Sequence, residues 1–214
     1  SIFGSIDKAY TQNLETNYFL KKLNVKNIRS IGNLKFIEDD SLKSDKADKK
    51  LFSQFKKYKT FVAASTHESE ELFAAKTHIL LKKKIKNIIT IIIPRHINRV
   101  EQIISEMRGL GLKVATRSSN KIILKNIDIF IVDTFGESKK FYKFATTVFL
   151  GKSLIKGGGQ NPLEPARFGT KILHGPGVDN FKDVYKYLRQ LKISTEVSSP
   201  QKCASSIIFK KNMK

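Results

Sequence analysis

The chain has 214 residues, 40% of them hydrophobic, and carries 40 Lys and Arg against 19 Asp and Glu, a formal charge of +21. That apolar content supports a core and excludes a disordered tail, and the length leaves room for one large domain or two small ones. The charge favours polyanions, whether nucleic acid or an anionic membrane face, but it is discounted in part: 33 of the basic residues are Lys, seven are Arg, and Ile outnumbers Val 25 to 9, a bias that an AT-rich genome imposes without functional cause.

The longest apolar run, residues 88–93, is interrupted by Thr90 and stops at Pro94. It is too short for the roughly 20 residues of a membrane span. A single cysteine, Cys203, excludes an intrachain disulfide framework and a Cys-based zinc site and fits a reducing compartment. No signal-peptide pattern is expected. The opening at Ser1, in mid-pattern, leads to the expectation of a piece of a longer protein.

In chain order, residues 9–12 read as a strand end and 13–23 as a helix with Leu14, Tyr18, Leu20 and Leu23 on one stripe. A short strand at 28–31 ends on the turn dipeptide Gly32-Asn33. Residues 37–50 are taken as a linker, since 38–50 are rich in Asp, Ser and Lys and poor in apolar residues. This divides the chain into 1–36 before the linker and 51–214 after it. A strand at 60–64 leads to a helix at 70–84, with Leu72, Phe73, Ala75, Ile79 and Leu80 on its buried face. Residues 87–93 form a strand without polar alternation, the mark of burial on both faces. A helix at 97–108 follows, with Val100, Ile103, Ile104 and Met107 at helical spacing. Strands are expected at 112–115, 127–132, 147–150 and 171–173, helices at 162–168 and 181–191, and a last helix after Pro200. Continuous apolar strands separated by amphipathic helices imply a Rossmann-like α/β fold, a parallel sheet with helices on both faces.

In such a sheet ligands bind outside the carboxyl ends of the strands. Four unusual segments occupy those ends: Ser65-Thr66-His67-Glu68, Pro94-Arg95-His96, Asp133-Thr134-Phe135-Gly136-Glu137, and the stretch from Gly157 to Glu164. In the last, Gly157, Gly158 and Gly159 permit close approach of the main chain to a ligand. Asn161 reads as the N-cap of a helix with Pro162 in its first turn. The result is an anion site for a phosphate, with Glu164 placed for ribose hydroxyls, or else only a Gly-rich turn before a capped helix. Arg95 offers a planar fork to phosphate or carboxylate, or pairs with a surface acid, with His96 as a cap. Ser65 or Thr66 reads as a helix cap, with Glu68 in the first turn. His67 and Glu71 have i,i+4 spacing but no further ligand, so no metal is expected. His78 reads as packing, and the Lys clusters at 43–59, 82–86 and 202–214 as solvated faces.

These segments, with Phe-Leu-Gly-Lys-Ser-Leu at 149–154, Asn-Pro-Leu-Glu-Pro at 161–165 and Gly-Pro…Asn-Phe at 175–181, resemble the Kdo transferases, bacterial enzymes that move 3-deoxy-D-manno-octulosonic acid onto lipid A precursors. Gly32-Asn33-Leu34-Lys35-Phe36 is similar to that family's segment between its two domains. The resemblance implies the C-terminal half of a GT-B glycosyltransferase, binding the donor CMP-Kdo and needing no cofactor or metal. It implies donor contacts from Ser65, Thr66, His67, Arg95, His96, Gly136, Glu137, Ser153, Gly157, Gly158, Gly159, Asn161 and Glu164. It places the general base, the membrane anchor and the acceptor surface on a preceding domain, of which residues 1–36 would be the tail end. The parent would then sit at the anionic cytoplasmic face of the bacterial inner membrane, with a lipid A precursor as acceptor. Two departures stand out: Gln160 where the family commonly has His, and Gly151-Lys152-Ser153 where it has Gly-Gly-Ser. Another GT-B enzyme using a UDP- or GDP-sugar, or a basic nucleic-acid-binding module, are the alternative readings; no specific nucleic-acid partner is expected, since RNA-recognition aromatics, zinc spacing and a recognition helix are missing.

Overall fold

A computed structural model describes residues 2–11, 14–30, 46–119 and 124–209, and its contacts divide the chain into two units, Ser1–Lys43 and Ser44–Lys214. In the first unit, strand β1 (Ala9–Thr11), helix α1 (Leu14–Lys22) and strand β2 (Ile28–Ser30) follow in order, and the strands pair in parallel with Ala9 opposite Ile28. The stripe expected on α1 is not buried: Leu14, Tyr18 and Leu23 are exposed, and no α1 residue is buried among those described. The Gly32–Phe36 motif lies outside the described residues.

The second unit opens with α2 (Lys46–Phe55), so the last five residues of the expected linker belong to a helix. Its sequence hides this, because polar residues dominate the first turn. What holds α2 is tertiary: Leu51 and Phe55 are buried, and Phe55 meets the ring of Phe130 edge-on at 5.2 Å. Thereafter β3 (Lys59–Thr66), α3 (Glu70–Lys82), β4 (Ile88–Pro94), α4 (Val100–Gly109), β5 (Val114–Thr116), β6 (Ile129–Ile131) and α5 (Ser138–Tyr142) follow. They continue into β7 (Thr147–Leu150), α6 (Leu163–Ala166), β8 (Lys171–His174), α7 (Lys182–Gln190), β9 (Ser194–Glu196) and α8 (Pro200–Ser206).

The strands form one parallel sheet in the order β5-β6-β4-β3-β7-β8-β9. The chain builds β3 to β6 on one side and then crosses to build β7 to β9 on the other. The strand order therefore reverses between β3 and β7, and a crevice opens there at the carboxyl ends. Successive side chains alternate faces. Phe61 and Ala63 of β3 pack with Phe73, Ile103 and Met107, whereas Val62 and Ala64 pack with Phe55, Phe141 and Tyr142. This is the two-faced Rossmann-like layer expected from the unalternated strands. Helix α3 departs from its expected stripe. Of that stripe Phe73 and Ala75 are buried and Leu72, Ile79 and Leu80 are half-buried, while Ala74, Thr77, His78 and Leu81 are buried as well, together with Glu70 and Glu71, because α3 packs against α8 as well as the sheet.

A charged network closes the β5–β6 side. Asp48 of α2, 1% exposed, pairs with Arg117 and with Lys140 Nζ at 2.8 Å. Arg117 Nε also lies 3.0 Å from Glu137 Oε2, and Lys140 Nζ lies 2.8 Å from Glu137 Oε1. Burial works to raise the Glu137 carboxyl, but hydrogen bonds from Arg117, Lys140 and Thr134 outweigh it and hold it at about 2, below the ordinary 4.5. A carboxyl held down in the folded state stabilises the fold above its ordinary value and loses that contribution as pH falls through the shifted one. Stability should therefore decline between about pH 4.5 and pH 2, and Glu137→Gln should flatten that limb. Urea midpoints measured across this range check it; an unchanged slope in the variant would remove Glu137 from the account.

Candidate functional site

The crevice at the β3–β7 reversal is built around one buried carboxylate. Glu70, 2% exposed, begins α3. Its Oε2 accepts the backbone N–H groups of His67 at 2.9 Å and Lys152 at 2.7 Å. Its Oε1 accepts those of Ser153 at 2.9 Å and Leu154 at 3.1 Å. One side chain thereby joins the loop after β3 to the loop after β7. Gly151 is required at this junction, since a Cβ there would collide with the Ser65 carbonyl oxygen, Glu70 Oε2 and Thr66 Cα.

Ser65 drops out of the β3–β4 ladder at φ 53°, and pairing resumes with Thr66 opposite Pro94. Sequence reading expects Ser65 or Thr66 to cap α3, but neither does. The first turn of α3 starts after Ser69, and the N–H of His67 is satisfied by Glu70 instead. The Ser65 carbonyl faces His67 Nδ1 at 3.1 Å. A carbonyl only accepts, so Nδ1 carries the proton and Nε2 is an acceptor in the neutral ring. Burial lowers the His67 imidazole below its ordinary value, against the opposing pull of Ser65 and Glu70. The His96 ring stands edge-on to it with centroids 5.4 Å apart. Arg95 donates its backbone N–H to Thr66 O at 2.9 Å. Its side chain is exposed and forms no ion pair among the described residues. Glu71, which had the spacing of a metal pair with His67, instead receives both terminal nitrogens of Arg99 at 3.2 and 3.3 Å.

The Gly-rich loop lies against the segment after β8. Gly159, at φ 101°, donates to Lys152 O at 2.5 Å, and a Cβ on it would press on Val178 Cα. Gly157 donates to Asp179 Oδ2 at 2.8 Å, Gly158 O accepts from Asn180 N at 3.0 Å, and Gln160 O accepts from Tyr185 at 3.1 Å. The helix expected at 162–168 is the single turn Leu163–Ala166, preceded by Pro162; Asn161 sits one residue before the cap position and accepts Leu163 N–H at 3.1 Å. Thr170 takes the Pro165 carbonyl and Gly169 turns at φ 70°, which ends the helix early. One turn carries little dipole, so the phosphate reading passes from a helix terminus to the loop and the cations around it. Glu164 lies in that turn, half-buried.

Two expected donor contacts have other partners. Ser153 is fully buried; its Oγ donates to Leu150 O at 2.6 Å and accepts Gly175 N–H at 2.8 Å, tying β7 to β8. Glu137 is held by Arg117, Lys140 and Thr134, and the neighbouring Asp133 by Ser118. Gly136 supplies only the left-handed turn between them, at φ 75°. The structure thus joins Ser65, Thr66, His67, Arg95, His96 and the 151–161 stretch into one corner, while the 133–137 loop turns its carboxylates toward α2 and Ser118. Glu70 and Asp179 were missed. The available signals were an acid three residues beyond His67 and another 22 beyond Gly157, too weak at those distances to single out.

The chain is similar to the 3-deoxy-D-manno-octulosonic acid transferases of Rickettsia bellii (strain RML369-C), 30% identical over 188 residues, and Rickettsia prowazekii (strain Madrid E), 31% identical over 198 residues. These alignments cover 88% and 92% of the chain. The chain matches members of that family over most of its own length. It spans just under half the length of these curated relatives, 45% and 43%. No family model matches it. Its fold is that of the C-terminal CMP-Kdo binding domain of WaaA from Acinetobacter baumannii, with a TM-score of 0.69 at 23% identity, covering 75% of this chain and 84% of that one.

Glu70→Gln should destabilise the fold by about 1–3 kcal/mol, since an amide turns a donor toward backbone N–H groups that then lack partners. Gly151→Ala should destabilise it too, and the double variant by less than the sum, because both open the same junction. Urea unfolding of the three variants checks this; full additivity would mean that Glu70 and Gly151 act independently.

Proposed function

We propose that this chain supplies the donor side of a Kdo transfer: it binds CMP-Kdo in the β3–β7 crevice, as the C-terminal half of a GT-B glycosyltransferase of lipopolysaccharide biosynthesis. The observation that carries the reading is the exposed Arg95, without an ion pair among the described residues, beside the His67–His96 pair, at the corner that Glu70 locks to the loop after β7. Arg95 and the loop would meet the phosphate of the leaving CMP. Glu164 would take the ribose hydroxyls and Asn161 the phosphate or sugar. The neutral His67 would accept a hydroxyl through Nε2. The relatives' names and the WaaA domain of like fold support this choice of donor over a UDP- or GDP-sugar.

In the reaction an acceptor hydroxyl on the glucosamine backbone of a lipid A precursor attacks the anomeric carbon of Kdo. The new C–O bond forms as the bond to the CMP phosphate breaks, with inversion. CMP leaves with the bonding electrons, and the hydroxyl proton passes to a carboxylate on a preceding domain. Such a transfer belongs at the cytoplasmic face of the bacterial inner membrane, with anionic lipid beside the parent protein. Among the described residues no helix is long and apolar enough to cross a membrane.

CMP should bind the chain with measurable heat at millimolar concentration and should raise its melting temperature where UDP and GDP do not. Glu164→Ala should weaken CMP by about 1–3 kcal/mol, the range for one partner of a charged hydrogen bond, and leave inorganic phosphate nearly unaffected. The 214-residue chain alone should transfer no Kdo to a lipid acceptor, since donor, acceptor and base must be held together. Stabilisation by UDP or GDP in place of CMP would reassign the donor, and transfer by the chain alone would place the base within it.

A further inference from the structure

The opposite edge of the sheet, at the amino ends of its strands, carries a cleft of about 390 Å³ unrelated to the donor corner. Tyr58 and Asn87 precede β3 and β4, Lys82 ends α3 and Lys86 lies in the turn after it, Lys113 precedes β5, and Lys125 and Asn126 lie on the turn into β6. Four lysines thus converge from three separate chain segments. The carboxylate lining the cleft is that of Asp128, and it is already engaged: it pairs with Lys82 and accepts the Lys113 backbone N–H at 3.0 Å. Behind it sits fully buried His78, whose Nε2 lies 3.5 Å from Asp128 Oδ1 and whose Nδ1 meets Thr90 Oγ1 at 2.9 Å. Burial lowers that imidazole, so it adds no second cation. This backing fixes the Lys82 ammonium at the wall. Lys86, Lys113 and Lys125 have no ion pair among the described residues.

We propose that this cleft is a second anion site, taking a phosphate group. Like charges gathered in a concavity raise one another's energy and focus a positive potential there, and a bound phosphate relieves both. The size falls within the range of small-molecule sites. The polar lining, Tyr58 with its hydroxyl donated to Leu124 O at 2.9 Å, and the asparagines of the rim suit a small phosphorylated ligand. A stacked base would need a free aromatic face. AT-rich coding explains why the cations are Lys; it does not explain why four of them line one cleft with a single, already paired, carboxylate.

The test uses the 214-residue chain, its Lys86→Ala/Lys113→Ala/Lys125→Ala variant and Arg95→Ala, which weakens the donor corner instead. Inorganic phosphate should raise the melting temperature saturably in the parent chain and in Arg95→Ala, and the midpoint should rise at least tenfold in the triple variant. Cosedimentation with phosphatidylglycerol vesicles separates the source: vesicle binding lost in the triple variant, without a free-phosphate response, assigns the site to a lipid headgroup phosphate. A phosphate response that survives the triple variant but vanishes in Arg95→Ala would overturn the proposal, as would no response to either probe.

Discussion

Everything at the β3–β7 crevice depends on a carboxylate that accepts four backbone N–H groups at once. Loops that leave adjacent parallel strands have unsatisfied donors and no ladder to pair with, and burying such donors is costly. Glu70 removes the problem for both loops with a single side chain. It also sets the distance between the loops, which is why Gly151 has no room for a Cβ. The crevice is therefore shaped by the protein's own hydrogen bonds, the preorganisation that the proposed recognition of a phosphate calls for.

Close packing carries this order outward. Ser153 bridges Leu150 and Gly175, Gly177 donates to Ser153 O, and the glycine loop rests on Asp179, Asn180 and Tyr185. Ser153, which sequence reading assigns to donor contact, thus has its hydroxyl engaged within the protein, where it joins β7 to β8. The difference lies in reach: a serine whose hydroxyl both donates and accepts within the protein has little left to offer a substrate.

The two edges of the sheet use charge differently. At the carboxyl edge acids are engaged by N–H groups or cations, as the buried Glu70 and Glu71 and the half-buried Glu137 show. At the amino edge lysines gather around a single engaged Asp128. Helices that return antiparallel to the strands end at this edge, and cations at helix C-termini are favoured by the dipole. That accounts for Lys82, which lies in the last turn of α3, but not for Lys113 or Lys125, which precede strands.

The strands of the core were legible from sequence because a strand buried on both faces leaves an unbroken apolar run, as residues 88–93 do. The loops of the candidate site were legible because polar, charged or Gly-rich segments at 65–68, 94–96 and 157–164 break the apolar pattern beyond the strands. What sequence alone could not show was pairing across distance. Helix α2 looks like a linker until Asp48 finds Arg117 and Lys140, 69 and 92 residues away. Glu70 looks like an ordinary first-turn acid until the pairing of β7 with β3 brings Lys152, 82 residues later, against it. Local composition determined where strands, helices and reactive loops lie, because propensity and periodicity act within a few residues; only the tertiary structure decided which charges meet, because that depends on strand order, which no local pattern encodes.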